Sequence, residues 1–297
     1  SSTVKRIYFT ATVPTKDMSA TKWELTDLTP AQHEFDGQLK HIYVKKSVEN
    51  AYKTATGWTD YAGVIDYKIK DEVKIAHQYG TFAREFDADL GIYARENGDN
   101  GRIGAFVAQT GDLKKGTVAG NEVIKCMMKS INYNTNVPAY DYVPAETGVL
   151  LESRSGLQTP ADFYYAIGEE DNTTYTVANN VMEGVTVKNK KMQLTSSDAT
   201  VFAMTKSGLF KPLKLNVEHN LPVHKAVAKL QVSTSSPAKV MFVFDDGSSI
   251  DAETTGIEHI ANTTAADDNV YYNLQGQRVE HPQHGVFIHN GKKVVLK

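Results

Sequence analysis

Residues Tyr142–Glu152 read YVPAETGVLLE. Val143 stands before Pro144, and a residue in that position is pushed out of helical geometry, which predicts an extended entry. Thr147-Gly148 is turn punctuation, and Val149-Leu150-Leu151 is a short apolar run closed by Glu152 and Ser153. That order predicts a turn feeding a buried strand. Outward from it, residues 71–255 are a series of short apolar runs separated by turn signals. They include Val123–Met128, Phe163–Ile167, Thr174–Val177, Val185–Val187, Met192–Leu194, Val201–Met204, Leu209–Leu215, Ala226–Val232 and Lys239–Phe244. Many short strands of this kind predict a β-sandwich or barrel. Leu90–Arg95 and Ile103–Ala108 flank an Asn97–Gly101 cluster and read as a β-hairpin. Pro144–Leu151 and Pro222–Lys229 each set a strand about five residues after proline, as two related halves would.

Composition bounds the rest. The chain has 297 residues, enough for two or three domains. A hydrophobic fraction of 41% and a charged fraction of 23% are those of an ordinary globular protein. The net charge is -3 with the signs interspersed, which argues against a nucleic-acid partner. No run approaches about 18 apolar residues, so no transmembrane segment is expected. The sequence opens Ser1-Ser2-Thr3-Val4, neither a start methionine nor a signal peptide, and we expect a mature or partial chain. Cys126 is the only cysteine, so there is no intrachain disulfide and no cysteine-based zinc site.

Residues 1–70 form a first unit. Val4–Phe9 and Leu39–Val44 share one pattern, with Ile7 and Ile42 at equivalent places, as in the turns of a solenoid. Ser47 is an expected N-cap for a helix carrying Val48, Ala51, Tyr52 and Ala55 on one face. Gly57 ends that helix, and Trp58 and Tyr61 follow as apolar cover for an open sheet end.

The stretch from His41 to Ile65 resembles the closing repeat of the BspA-like leucine-rich-repeat proteins of Bacteroidetes. Ile42-Tyr43-Val44, Val48-Glu49, Ala51-Tyr52-Lys53, Gly57-Trp58 and Tyr61 carry the likeness. Lys45 departs from it, standing where that family has proline. The body is similar to a recurrent domain of Bacteroidetes surface proteins at Tyr79–Phe82, Leu90–Ala94, the VPAETGVLLE stretch, Val201–Met204 and FVFDDG at Phe242–Gly247. After a linker-like stretch at Ala261–Asn269, residues 271–297 resemble the C-terminal sorting tails of secreted Bacteroidetes proteins. The matching positions are Tyr272, Leu274, Gly276, Arg278-Val279, Gly285, Phe287-Ile288 and Gly291–Val294. Asn290-Gly291 between alternating apolar residues predicts a tight turn in a small β-meander.

Motifs for chemistry are scarce. There is no G-x-S-x-G, and Cys126 lies in an expected strand, where a lone cysteine is a small buried hydrophobe. His281, His284 and His289 cluster, and His219 and His224 flank Leu221-Pro222, but a zinc site needs three or four ligands fixed by further contacts. Asp87/Asp89, Glu169-Glu170-Asp171 and Asp245-Asp246 with Asp251 lack a calcium-loop pattern and read as solvated turns. Trp23, Trp58, Tyr140/Tyr142 and Tyr164-Tyr165 are the candidates for a sugar-stacking platform; Trp58 reads better as packing, and Trp23 as exposed.

The expected architecture is mainly β: a short leucine-rich-repeat-like segment with a helical cap (1–70), a β-sandwich body (71–255), and a linker with a small C-terminal β tail (256–297). The resemblance implies a non-catalytic adhesion or interaction protein, secreted or on the outer cell surface. Its implied partner is a host extracellular protein or a bacterial surface component. The alternatives are a glycan-binding accessory protein, and a hydrolase whose site is not visible in sequence. No catalytic residue, metal or cofactor is expected, and no binding residue is assigned.

Overall fold

The computed structural model describes residues 6–11, 40–98, 101–118, 120–131, 141–154, 158–169, 177–195, 199–231, 239–244, 247 and 249–252, and the strands 271–272, 278–279, 285–289 and 292–296. The chain divides into two compact units, Ser1–Thr254 and Thr255–Lys297. It is mainly β, built of several sheets with short helical turns.

The strand Val149–Ser153 lies at the centre of the first unit. It pairs antiparallel with Tyr79–Phe82 on one side and Ile103–Val107 on the other, in a sheet completed by Lys129–Ser130. All five of its residues are buried. Successive side chains of a strand point to opposite faces, and here both faces are covered. Val149 and Leu151 join one apolar core with Ile103, Ala105 and Val107; Leu150 joins a second core with Phe106 and Ala108. Fully burying each such aliphatic side chain contributes roughly 1.5–3 kcal/mol. The body is thus three sheets deep. Beyond the first core lies a four-stranded sheet of Tyr142–Val143, Ala88–Asp89, Tyr164–Ile167 and Ile69–Lys70. Beyond the second lies an eight-stranded sheet from Met182–Val185 at one edge to Leu113–Val118 at the other.

The opening stretch is the crossover between two of these layers. Tyr142–Val143 pairs in one sheet with Ala88–Asp89, and six residues later the chain is in the middle sheet. Pro144–Gly148 makes the change of layer, with Glu146 at a φ of 60° and the Thr147 N–H donating to the Pro144 carbonyl at 3.2 Å.

The N-terminal residues form a parallel ladder of three rungs: Arg6–Tyr8, His41–Tyr43 and Ile65–Asp66. Ile7 pairs with Ile42 and Ile42 with Ile65, so the two sequence copies are stacked in register. The short helix Glu49–Thr54 crosses over between rungs and buries Tyr52 beside Trp58, ring on edge at 4.8 Å. Ile42, Val44, Tyr52, Trp58 and Ile65 form their own core under this cap. Three details differ from expectation, the first being that the helix ends at Thr54, with Ala55 extended, and not at Gly57. Ala51 is exposed, because the helix is only six residues long and turns a single side chain inward. Ser47 does not cap it; Lys46–Val48 forms a 3-10 turn first, and the Ser47 hydroxyl donates to the Glu169 carboxylate instead.

The expected hairpin around Asn97–Gly101 is not one. Ile92–Asn97 is a helix whose first three residues are buried. A short continuous apolar run is compatible with a strand or a buried helical turn. Contacts around the segment favour the helical turn: Arg95 pairs with Asp89, the Asn97 side chain donates to the Tyr93 carbonyl at 2.9 Å, and Gly98 leaves the helix at a φ of 68°. Ile103–Val107 finds its partners in Val149–Ser153 and Lys129–Ser130.

Most other expected strands lie within a residue or two of the observed ones. Val187 is an exception: it follows the strand Met182–Val185 and is 67% exposed. Residues 174–176 lie outside the described residues. The strand after Pro222 starts at Lys225, three residues on rather than five, because His224 takes a φ of 63° and turns the chain sooner.

In the second unit, Gly285–His289 and Lys292–Leu296 pair antiparallel with His289 opposite Lys292; the expected tight turn at Asn290-Gly291 lies outside the described residues. The strand order is not that of a plain meander. Tyr271–Tyr272 lies between Arg278–Val279 and Gly285–His289 and bonds to both, so the first strand is internal to its sheet.

Candidate functional site

A cleft of about 270 Å³ opens where the ladder, the middle sheet and the eight-stranded sheet meet. Its lining is Arg6 from the first rung, Glu72 and Arg84 from the segments flanking Tyr79–Phe82, Phe82 itself, and Val223, His224 and Lys225 from the start of a strand of the large sheet. Binding sites favour such junctions, because separate elements supply the walls of a concavity.

Glu72 organises the floor. Its carboxylate accepts from the Arg6 guanidinium at 2.7 Å, from Arg84, and from the hydroxyls of Tyr8 and Tyr165. Arg84 is almost wholly enclosed, 2% exposed, with its guanidinium stacked 4.5 Å from both the Tyr8 and the Phe86 ring centres. It also contacts Glu85 at 3.0 Å, and the Glu85 carboxylate reaches the His224 ring at 2.8 Å. A cation flanked by two carboxylates and two aromatic faces has its desolvation offset on every side.

The protonation equilibria follow this wiring. Burial works to raise the Glu72 pKa, but the Arg84 charge and the bonds from Tyr165, Tyr8 and Arg6 outweigh it and hold Glu72 below the usual carboxylate range. Burial and the Glu72 carboxylate push the Tyr8 phenol up to about 12. Lys225 differs from the other cations. Burial lowers its pKa, no neighbouring charge acts against that, and among the described residues its ammonium has no ion pair or side-chain hydrogen bond, although its backbone pairs with Val185 in the large sheet.

A group whose folded pKa is depressed contributes stability that is present above its unfolded pKa and lost as pH falls through the folded one. Glu72, Glu85, Glu96 and Asp112 all lie on this side. Asp89 and Asp141, raised by burial, act in the opposite sense and soften the slope. Stability of the first unit is therefore expected to fall as pH drops below about 5, toward and past the ordinary glutamate pKa of about 4.3. Glu72→Gln removes one titrating group from that window. Denaturant titrations between neutral pH and pH 3 are expected to show a shallower acid loss in the variant; an unchanged slope would count against Glu72 as a contributor.

The residues singled out from sequence lie elsewhere or play other parts. Asp87 and Asp89 are buried and not in solvated turns: Asp87 accepts from the Ala145 N–H at 2.8 Å, holding the crossover, and Asp89 pairs with Arg95; neither reaches the cleft. Glu169 bonds to Ser47. His219 contacts the Lys214 carbonyl at 3.1 Å, and only His224 lines the cleft. Trp58, Tyr142, Tyr164 and Tyr165 are all buried, so they form no stacking platform. Cys126 is fully buried, and burial pushes its thiol up to about 12. Trp23, Tyr140, Glu170, Asp171, Asp245, Asp246, His281 and His284 lie outside the described residues, as do the side chains of Asp251 and His289. Among the described residues no group of three or more His, Cys, Asp or Glu side chains could hold a metal ion, and no helix is long and apolar enough to cross a membrane. Set against known protein families, curated proteins and solved structures, the chain matches none.

Proposed function

We propose that this chain is a non-catalytic binding protein of the cell surface or secreted space, acting in adhesion to a host extracellular protein or a bacterial surface component. The observation that carries the reading is the in-register parallel ladder with its aromatic helical cap, joined to the body through the Arg6 and Tyr8 contacts with Glu72. A ladder that stacks repeat on repeat and closes over Tyr52 and Trp58 is how solenoid proteins end, and solenoids are built to present surface. The kinship with BspA-like leucine-rich repeats, and the sorting role of the C-terminal tail, belong to the same proposal. The polar residues of the cleft also support binding over turnover. Glu72 and Arg84 satisfy one another within a fixed network, an arrangement that holds shape and charge in place.

The test is a parallel screen of the full chain against immobilised matrix proteins and polysaccharides, with and without calcium. Saturable binding to a matrix protein of the fibronectin or fibrinogen kind is the expected result. Binding confined to polysaccharides would transfer the assignment to a glycan-binding accessory protein. Silence on both panels would overturn the proposal.

A further inference from the structure

We infer that the cleft takes a single carboxylate group carried on a small organic body, with the Lys225 ammonium as its charge partner and Arg6 beside it. The inference rests on reading the chain as a binding protein and names the chemistry its cleft would recognise. Three observations lead to it. The first is charge count. Arg6, Arg84 and Lys225 line the cleft with Glu72, and Glu85 pairs with Arg84, so with the histidine counted neutral one positive charge is left over, enough for one monoanion. The second is where that charge resides. Arg84 is enclosed between Glu72 and Glu85, whereas Lys225 lines the cleft without a partner among the described residues. A half-buried ammonium without a counter-charge is costly to the empty protein, and a ligand carboxylate relieves that cost on binding. Arg6 spends one nitrogen on Glu72, and a guanidinium carries five N–H donors in all. The third is the wall. Phe82 and Val223 supply apolar lining beside these cations, matched to a carbon skeleton rather than to a bare inorganic ion. His224 sets the geometry: its φ of 63° and its N–H bond to the Val185 carbonyl at 2.7 Å turn the chain so that Val223 and Lys225 both reach the cleft.

The experiment titrates the full chain with four probes, followed by calorimetry or amide shifts: glucuronate, N-acetylglycine, glucose and inorganic phosphate. Saturable binding of at least one carboxylate, with none of glucose, is expected. Which carboxylate binds tells whether the group comes from an acidic sugar or from a peptide-like body. In Lys225→Met, which keeps the aliphatic stem, that binding is expected to weaken by about tenfold or more. Loss of binding to both carboxylates in the parent chain, tighter binding of phosphate than of either, or unchanged affinity in Lys225→Met would each overturn the inference. A second readout needs no variant: saturating carboxylate is expected to slow acylation of Lys225 by acetic anhydride, read by peptide mass, and an unchanged rate would overturn it. If Lys225→Met still binds a matrix protein as the parent does while the carboxylate probes fail, the adhesion reading stands and this inference falls alone.

Discussion

Arg84→Met is expected to destabilise the first unit by about 3–5 kcal/mol, the range for breaking one side of a buried ion pair. The side chain is 2% exposed and donates to Glu72 and, at 2.5 Å, to the Tyr165 hydroxyl. Methionine refills much of the volume, so the loss is electrostatic rather than a cavity effect. What remains is Glu72 with Arg6 and two phenols, and a carboxylate whose burial penalty has lost its main offset. Denaturant unfolding at neutral pH, followed by tryptophan fluorescence, measures it: the midpoint falls while the slope is kept. The double variant Arg84→Met with Glu72→Gln is expected to recover a large part of the loss, because replacing both charges removes the stranded one. A single-variant loss under about 1 kcal/mol would mean that solvent reaches Glu72 and that the network is a surface one.

Gly148→Ala is the second large effect, and its cause is space. A Cβ there would stand 2.6 Å from the Met182 carbonyl oxygen, 2.7 Å from the Gly184 nitrogen and 2.8 Å from the Glu183 carbonyl carbon. All three are backbone atoms of the edge strand of the large sheet, so no side-chain rotation makes room. The crossover would have to move off that strand, straining the Thr147–Glu183 bridge and the 2.9 Å bond from the Asn180 amide to the Gly148 carbonyl. Overpacking of this kind costs about 1–3 kcal/mol, and more when backbone must yield. Gly63→Ala is the control, since nothing lies within 4 Å of its added Cβ. A change within about 0.5 kcal/mol is expected there. Thermal unfolding of both, side by side, checks the pair; equal behaviour would refute the steric account.

How far the sequence discloses this molecule depends on the range of the interaction concerned. Val149-Leu150-Leu151 is legible as a buried strand because the extended Val143-Pro144 entry and the Thr147-Gly148 turn before it weigh against a helix, and a strand apolar on both faces belongs between two layers. The pairing of Ile7 with Ile42 is legible because repeated residues occupy repeated positions. The third rung at Ile65 carries too little of the pattern to be read as a copy. Ile92–Asn97 is not legible as a helix because its apolar run of Ile92, Tyr93 and Ala94 is too short to show a period, and the contacts that hold it helical come from Asp89 and the surrounding core. The cleft is the least legible part. Arg6, Glu72, Arg84 and Lys225 lie on separate elements spread across most of the first unit and share no motif. Of its lining residues only His224 enters the sequence search for chemistry, where it is weighed as a metal ligand and set aside, and in the structure it contacts Glu85. The one sequence signal in hindsight is Val223-His224-Lys225 after Leu221-Pro222, a polar pair placed where a buried strand begins.

The eight-stranded sheet carries a consequence for how the chain reaches its fold. Its strand Asn121–Met127 pairs in parallel with Lys239–Val243, whose own antiparallel partner is Ser249–Ala252. A parallel pair cannot close through a tight turn, and here more than a hundred residues separate the two strands. Synthesis from the N-terminus would therefore leave Val123 and Cys126 without a neighbouring strand on that side until nearly the whole first unit had emerged. The loop entropy is spent before the pairing returns anything, which is the condition that slows folding in strand-rich chains. Leu113–Val118 pairs with Asn121–Met127 as an early hairpin and carries exposed Lys114 and Lys115. Lysines on an edge strand discourage pairing with other chains. Their value is greatest during that interval, when the hairpin waits for its second partner and the growing polypeptide is most open to aggregation.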